Sequence, residues 1–318
     1  MSRLILNPVA GTDEGAALVP RINEALRAQV GEVDITITAG PGDAERAALR
    51  AAREGETRFF VAGGDGTLNE VLNGVHDSGL LSDAVFGILP LGTGNDFAAA
   101  LEIPSDVDAA LQAFQDGYTV DVDVGRLDDR VFVNISAGGF VAEVSDAVTP
   151  ELKTIAGRLA YLIGGAQTLL SYEPVRARVE PLDEAFVRYP SALFEQERPA
   201  FEKGVSAYEV DLYLFAVCNS RLIGGGRLIA PEAVIDDGWL DVCVVEAMPT
   251  LEFVGLLREV ARGGHLGDPR VTYFRARDLR LEFDRVVKVN TDGQVLEARA
   301  CRYTVLPRAA RFLAPRPA

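Results

Sequence analysis

Three glycine-bearing segments, each placed directly after a short apolar run, constrain this chain more than any other feature. The first is Asn7-Pro8-Val9-Ala10-Gly11, at the end of the run from Arg3 to Asn7. The second, Gly63-Gly64-Asp65-Gly66-Thr67-Leu68-Asn69-Glu70, follows Arg58 to Ala62. The third, Pro90-Leu91-Gly92-Thr93-Gly94-Asn95-Asp96-Phe97, follows Ala84 to Leu89. Glycine lets the backbone approach a bound group closely and adopt positive φ. The amides of such loops, with the N-terminus of a following helix, attract an anion. A single loop of this kind reads equally well as a tight turn. Three of them, each at a strand end in one region, point to a phosphate-binding edge, because ligands of open parallel sheets bind beyond the carboxyl ends of the strands. Thr67 and Thr93 can add hydroxyl donors. Neither a Walker A pattern nor a GxGxxG fingerprint is present, so P-loop and dinucleotide-binding readings lose ground.

The chain has 318 residues, more than one core usually holds, and two domains are expected. Over the first 125 residues, strand and helix patterns alternate. Strands are expected at Arg3 to Asn7, Val33 to Thr38, Arg58 to Ala62 and Ala84 to Leu89. Helices are expected at Ala16 to Val30, Asp43 to Arg53, Leu68 to Val75, Asn95 to Leu101 and Val107 to Gln115. That rhythm implies a parallel sheet with helices on both faces. After about Val124 strand-like runs dominate: Val131 to Ile135, Val175 to Val179, Val210 to Cys218, Leu240 to Val245, Asp278 to Phe283, Val286 to Asn290 and Val295 to Arg299. Leu152 to Leu170 and Leu251 to Arg262 fit helices. This half reads as a mostly antiparallel β domain. The polar, acidic stretch from Pro181 to Glu209 reads as a long insertion or mobile loop.

Composition removes several classes. No apolar run approaches the roughly 18–20 residues that span a bilayer. The N-terminus lacks a signal peptide's long apolar core and is read as a first strand, placing the protein in the cytoplasm. A net charge of −16 argues against wholesale nucleic-acid binding and against holding to an anionic membrane by bulk charge. Any contact with a nucleotide or a membrane must use a local patch or backbone donors. The three cysteines, Cys218, Cys243 and Cys301, form no CxxC pair; Cys218 and Cys243 read as buried small hydrophobes. With only His76 and His265, a histidine-rich metal site is unavailable.

Gly63-Gly64-Asp65-Gly66-Thr67 resembles the signature of the diacylglycerol, sphingosine and ceramide kinase catalytic domains, which NAD kinases share. The run from Gly87 to Ala98 is similar to the bacterial soluble diacylglycerol kinases and YegS-type lipid kinases. The resemblance continues through Asp121-Val122-Asp123-Val124-Gly125, Asn134 to Phe140, Gly224-Gly225-Gly226 to Asp241, Ala261 to His265, and Asp292-Gly293. It implies an α/β plus β fold: an N-terminal α/β nucleotide domain, Rossmann-like and distantly like phosphofructokinase, and a C-terminal β-sandwich-like domain. The implied domains are residues 1–124, with about 302–318 returning to them, and 125–301.

The resemblance also implies an ATP- and magnesium-dependent kinase that phosphorylates a lipid hydroxyl, diacylglycerol being the leading acceptor. ATP is then expected at Asn7, Pro8, Val9, Ala10, Gly11, Thr38, Gly64, Asp65, Gly66, Thr67, Leu68, Asn69, Glu70 and Thr93. Asp65 is expected to serve the metal–phosphate assembly, since magnesium prefers carboxylate oxygen and bridges substrate phosphates. Asp96, at a helix start, joins the same network or simply caps the helix. Asp236-Asp237-Gly238-Trp239 resembles a structural metal site of one Asp carboxylate, Asp237, and two carbonyls, from Val234 and Trp239; by itself Asp-Asp-Gly is a turn.

One position departs from the pattern. Where relatives carry Asp-Gly-Glu, this chain has Asp292-Gly293-Gln294. Those carboxylates are the candidates for general base on the acceptor hydroxyl. Gln294 can only orient a hydroxyl or a water: if the glutamate is the family's base, this chain is slow or inactive, and if Asp292 is the base, the glutamine is a tolerable change. On the lipid side, the amphipathic stretch from Leu152 to Leu170, with Lys153 and Arg158, reads as a packed helix or a membrane-facing one. The Gly224-Gly225-Gly226-Arg227 loop is a candidate wall of the acceptor cleft. The expected partner is a lipid at a membrane surface, met transiently, with a homodimer suggested by relatives. Two other readings stay open: an NAD kinase, and a nucleotide- or lipid-binding pseudokinase supported by Gln294.

Overall fold

The computed structural model describes residues 2–10, 18–115, 117–140, 142–143, 172–183, 185–189 and 207–316. In chain order the first region contains β1 (Ser2–Leu6), α1 (Val19–Val30), β2 (Val33–Ile37), α2 (Asp43–Arg53), β3 (Arg58–Gly63), α3 (Asp65–Asp77), β4 (Val85–Pro90), α4 (Asp96–Ala100) and α5 (Val107–Ala113). The second contains β5 (Thr119–Leu127), β6 (Arg130–Phe132), β7 (Ile135–Gly139), β8 (Val175–Pro181), β9 (Ala185–Tyr189), β10 (Tyr208–Cys218), β11 (Leu222–Ile223), β12 (Arg227–Leu228) and β13 (Leu240–Glu246). α6 (Thr250–Val260), β14 (Val271–Ala276), β15 (Asp278–Thr291) and β16 (Gln294–Leu313) complete it. The chain thus has an N-terminal α/β domain and a C-terminal β-rich domain.

In the α/β domain the strands run parallel in the order β2-β1-β3-β4. Their sequences explain why: RFFVAG and VFGILP are near-continuous apolar runs, and a parallel strand with helices on both faces is buried on both sides. The register aligns the strand ends. Leu6 pairs with Ile37 and Ala62, and Gly63 pairs with Pro90. Asn7, Thr38, Gly64 and Leu91 therefore leave the sheet along one edge.

The β-rich domain is antiparallel throughout. β7 and β8 lie end to end between β10 and β15: Leu214–Cys218 of β10 face β7, and Tyr208–Leu212 face β8. Along β10, Phe215 and Val217 enter one apolar cluster, while Leu214, Ala216 and Cys218 enter another on the opposite face. Both faces of this strand are core, which is why its apolar run does not alternate. The three cysteines are free and buried.

The two domains share the last strand. β16 pairs with β15 through its first half and with β5 through its second, and Phe312 pairs in parallel with Phe86. The Phe312 ring packs 5.4 Å from Phe86 and 5.1 Å from Phe97, inside the core of the α/β domain.

Several elements differ from expectation. Val131 to Ile135 is two strands, broken at Val133 and Asn134, because the amides there are taken by a carboxylate described below. Asp278 to Phe283 and Val286 to Asn290 are one strand with a register shift between Glu282 and Val287. Val295 to Arg299 lies within a 20-residue strand. Pro181 to Glu209 is not simply a loop: Pro181 closes β8, Ala185–Tyr189 pair with β14, and Tyr208 opens β10. The expected helix from Leu152 to Leu170 lies outside the described residues. Among the described residues no helix is long and apolar enough to cross a membrane.

Candidate active site

The glycine segments meet as backbone against backbone. A Cβ on Gly92 would lie 2.5 Å from the Gly64 Cα, and one on Gly64 would lie 3.1 Å from the Gly92 Cα. A side chain at Gly92 would run into the Gly64 backbone, so only glycine fits there. Asn95, with φ 51°, fastens the third loop: its Oδ1 accepts from Gly92 N at 3.0 Å and its Nδ2 donates to Gly92 O at 2.7 Å. The first loop is tied to the second by Asn7 Nδ2, which donates to Thr67 Oγ1 at 3.2 Å. α3 begins at Asp65, so its free amides face this junction.

Three carboxylates gather around it. Asp65 Oδ2 accepts from Asp96 N and Oδ1 from Phe97 N, each at 3.2 Å, so Asp65 caps α4. Asp96 is buried and reaches across the domain boundary, where its Oδ1 accepts from Gly225 N at 3.0 Å and Gly226 N at 2.8 Å. Gly224, Gly225 and Gly226 all have positive φ, which turns two successive amides toward one carboxylate.

The third, Asp292, lies in the two-residue turn between β15 and β16. Asp292 and Gly293 have φ of 46° and 92°, the paired positive values of a type I′ hairpin, for which Asp-Gly is a preferred sequence. The turn lies against Gly66: a Cβ on Gly293 would be 3.5 Å from the Gly66 Cα. The Asp292 carboxylate points inward. Oδ2 accepts from Val133 N at 2.8 Å and Asn134 N at 3.2 Å, and Oδ1 accepts from Ile135 N at 2.7 Å.

Burial sets the electrostatics. It pushes Asp292 up to about 6, against the three amides, with Asp65 nearby adding to the rise. It also raises Asp65; the Phe97 amide opposes that and the Asp96 charge reinforces it. An excess of negative charge with converging amides suits a phosphate chain that brings its own cation.

The structure divides the expected nucleotide residues. Asn7, Gly64, Asp65, Gly66 and Thr67 come together, with exposed Thr93 on the adjoining loop. Pro8, Val9 and Ala10 extend the first loop, and Val9 is 83% exposed. Gly11 lies outside the described residues. Thr38 is buried at the end of β2, its amide on Leu6 O. Three residues of α3 are employed elsewhere. Leu68 packs in the core. Asn69 donates to Val131 O at 2.9 Å. Glu70 accepts from Gly42 N at 2.9 Å and Ala44 N at 3.1 Å, capping α2. The helical turn carries these side chains away from the junction.

The general-base role expected of Asp292 meets a similar correction. With both oxygens on buried amides and the residue 5% exposed, it organises the β6–β7 break instead of facing a hydroxyl. Gln294 is half-buried at the start of β16. Asp237 pairs with Arg275 at 2.9 Å. The sequence reading missed Asn73, whose Oδ1 accepts from Val131 N and whose Nδ2 donates to Val131 O, both at 2.9 Å. Its i, i+4 spacing from Asn69 on an otherwise apolar helix face was the available signal.

Comparison with known proteins agrees with this architecture. The model for the diacylglycerol kinase catalytic domain matches residues 2–127, and that for the YegS C-terminal NAD kinase β-sandwich-like domain matches residues 134–314. A protein named diacylglycerol kinase from Staphylococcus carnosus (strain TM300) is 31% identical over 293 residues, covering 92% of this chain and 88% of the relative. One of the same name from Staphylococcus aureus (strain MRSA252) is 31% identical over 314 residues, covering 99% and 92%. A solved structure from Bacillus anthracis str. Sterne superposes with a TM-score of 0.77 at 24% identity, covering 99% of this chain and 95% of that one, and so shares the fold. Matched at both domains and over nearly its whole length, the chain belongs to the diacylglycerol kinase family.

Proposed function

We propose that this protein transfers the terminal phosphoryl group of magnesium-bound ATP to the hydroxyl of a lipid, diacylglycerol being the leading acceptor. The observation that carries the reading is the junction of Gly64 and Gly92 at the N-terminus of α3, joined across the domains by Asp96 to Gly225 and Gly226. A phosphate cradle and a second-domain loop are thereby held on one carboxylate chain, as a two-substrate transfer requires.

The residues present fit the nucleotide. The glycine crossing brings the backbones of the second and third loops together, and Asn7, Thr67 and Thr93 offer polar groups beside it. They also fit magnesium as a passenger of the triphosphate. Among the described residues no group of three or more His, Cys, Asp or Glu is arranged to hold a metal ion alone. Asp65 is the carboxylate beside the glycine crossing that is not fully buried, and it would face the metal–phosphate unit. When bound, magnesium would neutralise the charge that develops on the transferring group.

The chain's own part is positioning. The amides of the second and third loops orient the phosphates. Asp96 fixes the Gly224-Gly225-Gly226 loop on the acceptor side. Phosphoryl transfer through a loose transition state rests mainly on positioning and electrostatics, so a glutamine that orients the hydroxyl still permits turnover, at a rate that a carboxylate there would raise. The acceptor is met at a membrane surface.

The test is ATP consumption by the pure protein with magnesium, against a panel of lipids in mixed micelles. Lipid-dependent turnover, greatest with diacylglycerol, is expected. A specific observation favours a second reading. Asp65, Asp96 and Asp292 all accept backbone amides and Gln294 carries no acid, as in a pseudokinase. Tight ATP binding with no turnover on any lipid would establish that reading instead.

A further inference from the structure

The resemblance implies a divalent cation at the Asp236-Asp237-Gly238-Trp239 turn, on Asp237 and the carbonyls of Val234 and Trp239. The turn already has a cation. β13 and β14 pair antiparallel with Asp241 opposite Arg275, so the arginine emerges beside the turn. Its Nε donates to Asp241 Oδ1 at 3.1 Å, one terminal nitrogen to Asp237 Oδ2 at 2.9 Å, and the other to Glu232 O at 2.8 Å. The second oxygen of Asp237 accepts from Trp239 N at 3.1 Å. Tyr273 OH adds a 2.7 Å bond to Asp241.

The rest of the turn is held from within as well. Asp123 accepts from Gly238 N at 2.5 Å and Arg308 N at 2.7 Å. The Arg277 guanidinium lies 4.1 Å from the centre of the Trp239 ring. The adjoining cavity, about 650 Å³, has Asp123, Asp183, Asp236, Asp237 and Asp278 in its wall, with Arg277 and Arg308 facing them.

We infer that Arg275 is the resident cation of this turn, and that Val234, Asp237 and Trp239 hold no divalent ion in this chain. A guanidinium cannot give up its proton to make room. A divalent ion on Asp237 would sit against a side chain only 12% exposed, where water and salt screen little. Displacing the arginine would strand Asp241, 1% exposed, without a counter-charge, the costly way to break a buried pair. Magnesium also asks for near-octahedral oxygen ligands, and each oxygen of Asp237 already accepts a hydrogen bond, so an ion there would have to share the carboxylate with the arginine.

The test is thermal unfolding of the nucleotide-free protein in EDTA and in millimolar magnesium, for the wild type, Asp237→Asn and Arg275→Met. An unchanged wild-type Tm is expected. A magnesium-induced rise that survives Asp237→Asn is binding elsewhere and sustains the inference. A rise in the wild type that Asp237→Asn removes overturns it. Arg275→Met is expected to lower Tm in EDTA by at least about 5 °C. A variant as stable as the wild type would show that the guanidinium is not the counter-cation, and would also overturn the inference. Should Arg275→Met fail to fold, the wild type and Asp237→Asn still decide the matter.

Discussion

Asp65 and Asp96 are linked in series: the Asp65 carboxylate accepts the Asp96 amide at 3.2 Å, and the Asp96 carboxylate accepts the amides of Gly225 and Gly226. One side chain therefore fixes the helix that presents the next. Through this pair the glycine loop at Gly64 in the α/β domain is mechanically continuous with the glycine loop of the β-rich domain.

Asp65→Ala is expected to lower kcat at least about hundredfold, because the proposed reaction sets its charge against the metal–phosphate unit. The lost cap on α4 should cost about 1 kcal/mol. Circular dichroism and a denaturant titration would confirm the fold. A folded variant with wild-type turnover would remove Asp65 from the phosphate site.

Asp96→Ala is expected to separate the two substrates. The phosphate cradle keeps its glycines, while the amides of Gly225 and Gly226 lose their acceptor. KM for the lipid should rise about tenfold or more, with ATP affinity changed by less than about threefold. Steady-state kinetics with each substrate varied, together with ATP calorimetry, would measure the split.

Asp292→Ala is expected to destabilise the protein by at least about 3 kcal/mol, since three amides would lose their buried acceptor. The sign of the pH effect follows from the direction of the shift. An acid raised in the folded state contributes stability that is full below its unfolded value, 3.8, and lost as pH rises through about 6. Asp65, Asp123 and Asp241 are raised too, by burial first in each case, while His265 is lowered by burial and opposes them below its ordinary value of 6.5. Asp292, at about 6, titrates between pH 5.5 and 7.5. From pH 5.5 to 7.5 the urea midpoint of the wild type should therefore fall relative to that of Asp292→Asn, which has no proton to lose there.

Gln294→Glu is expected to raise kcat at least about tenfold by restoring a proton acceptor beside the hydroxyl. The gain should fade on the acid side of the pH–rate profile as the new carboxylate protonates. A lower rate would show that the site is built around the amide.

Much of the architecture is legible in the sequence where local pattern and tertiary demand coincide. α2 runs from Asp43 to Arg53, the bounds expected of its alanine- and arginine-rich run with an acidic start. β5 and β14 gave weaker signals: Thr119–Leu127 carries Asp121 and Asp123 among its apolar residues, and Val271–Ala276 follows a polar turn. Asp123 is tolerated in a strand because it serves Gly238 and Arg308, residues more than a hundred positions away. No local window contains that reason.

The sequence by itself determined the glycine loops at strand ends and the alternation that makes a parallel sheet. Each depends on φ, ψ and burial over a few neighbouring residues, which composition and spacing report directly. Only the tertiary structure decided what the carboxylates do. An aspartate's role is set by which amides, charges and walls surround it. Here those come from distant segments: Val133–Ile135 for Asp292, Gly225–Gly226 for Asp96, and Arg275 for Asp237.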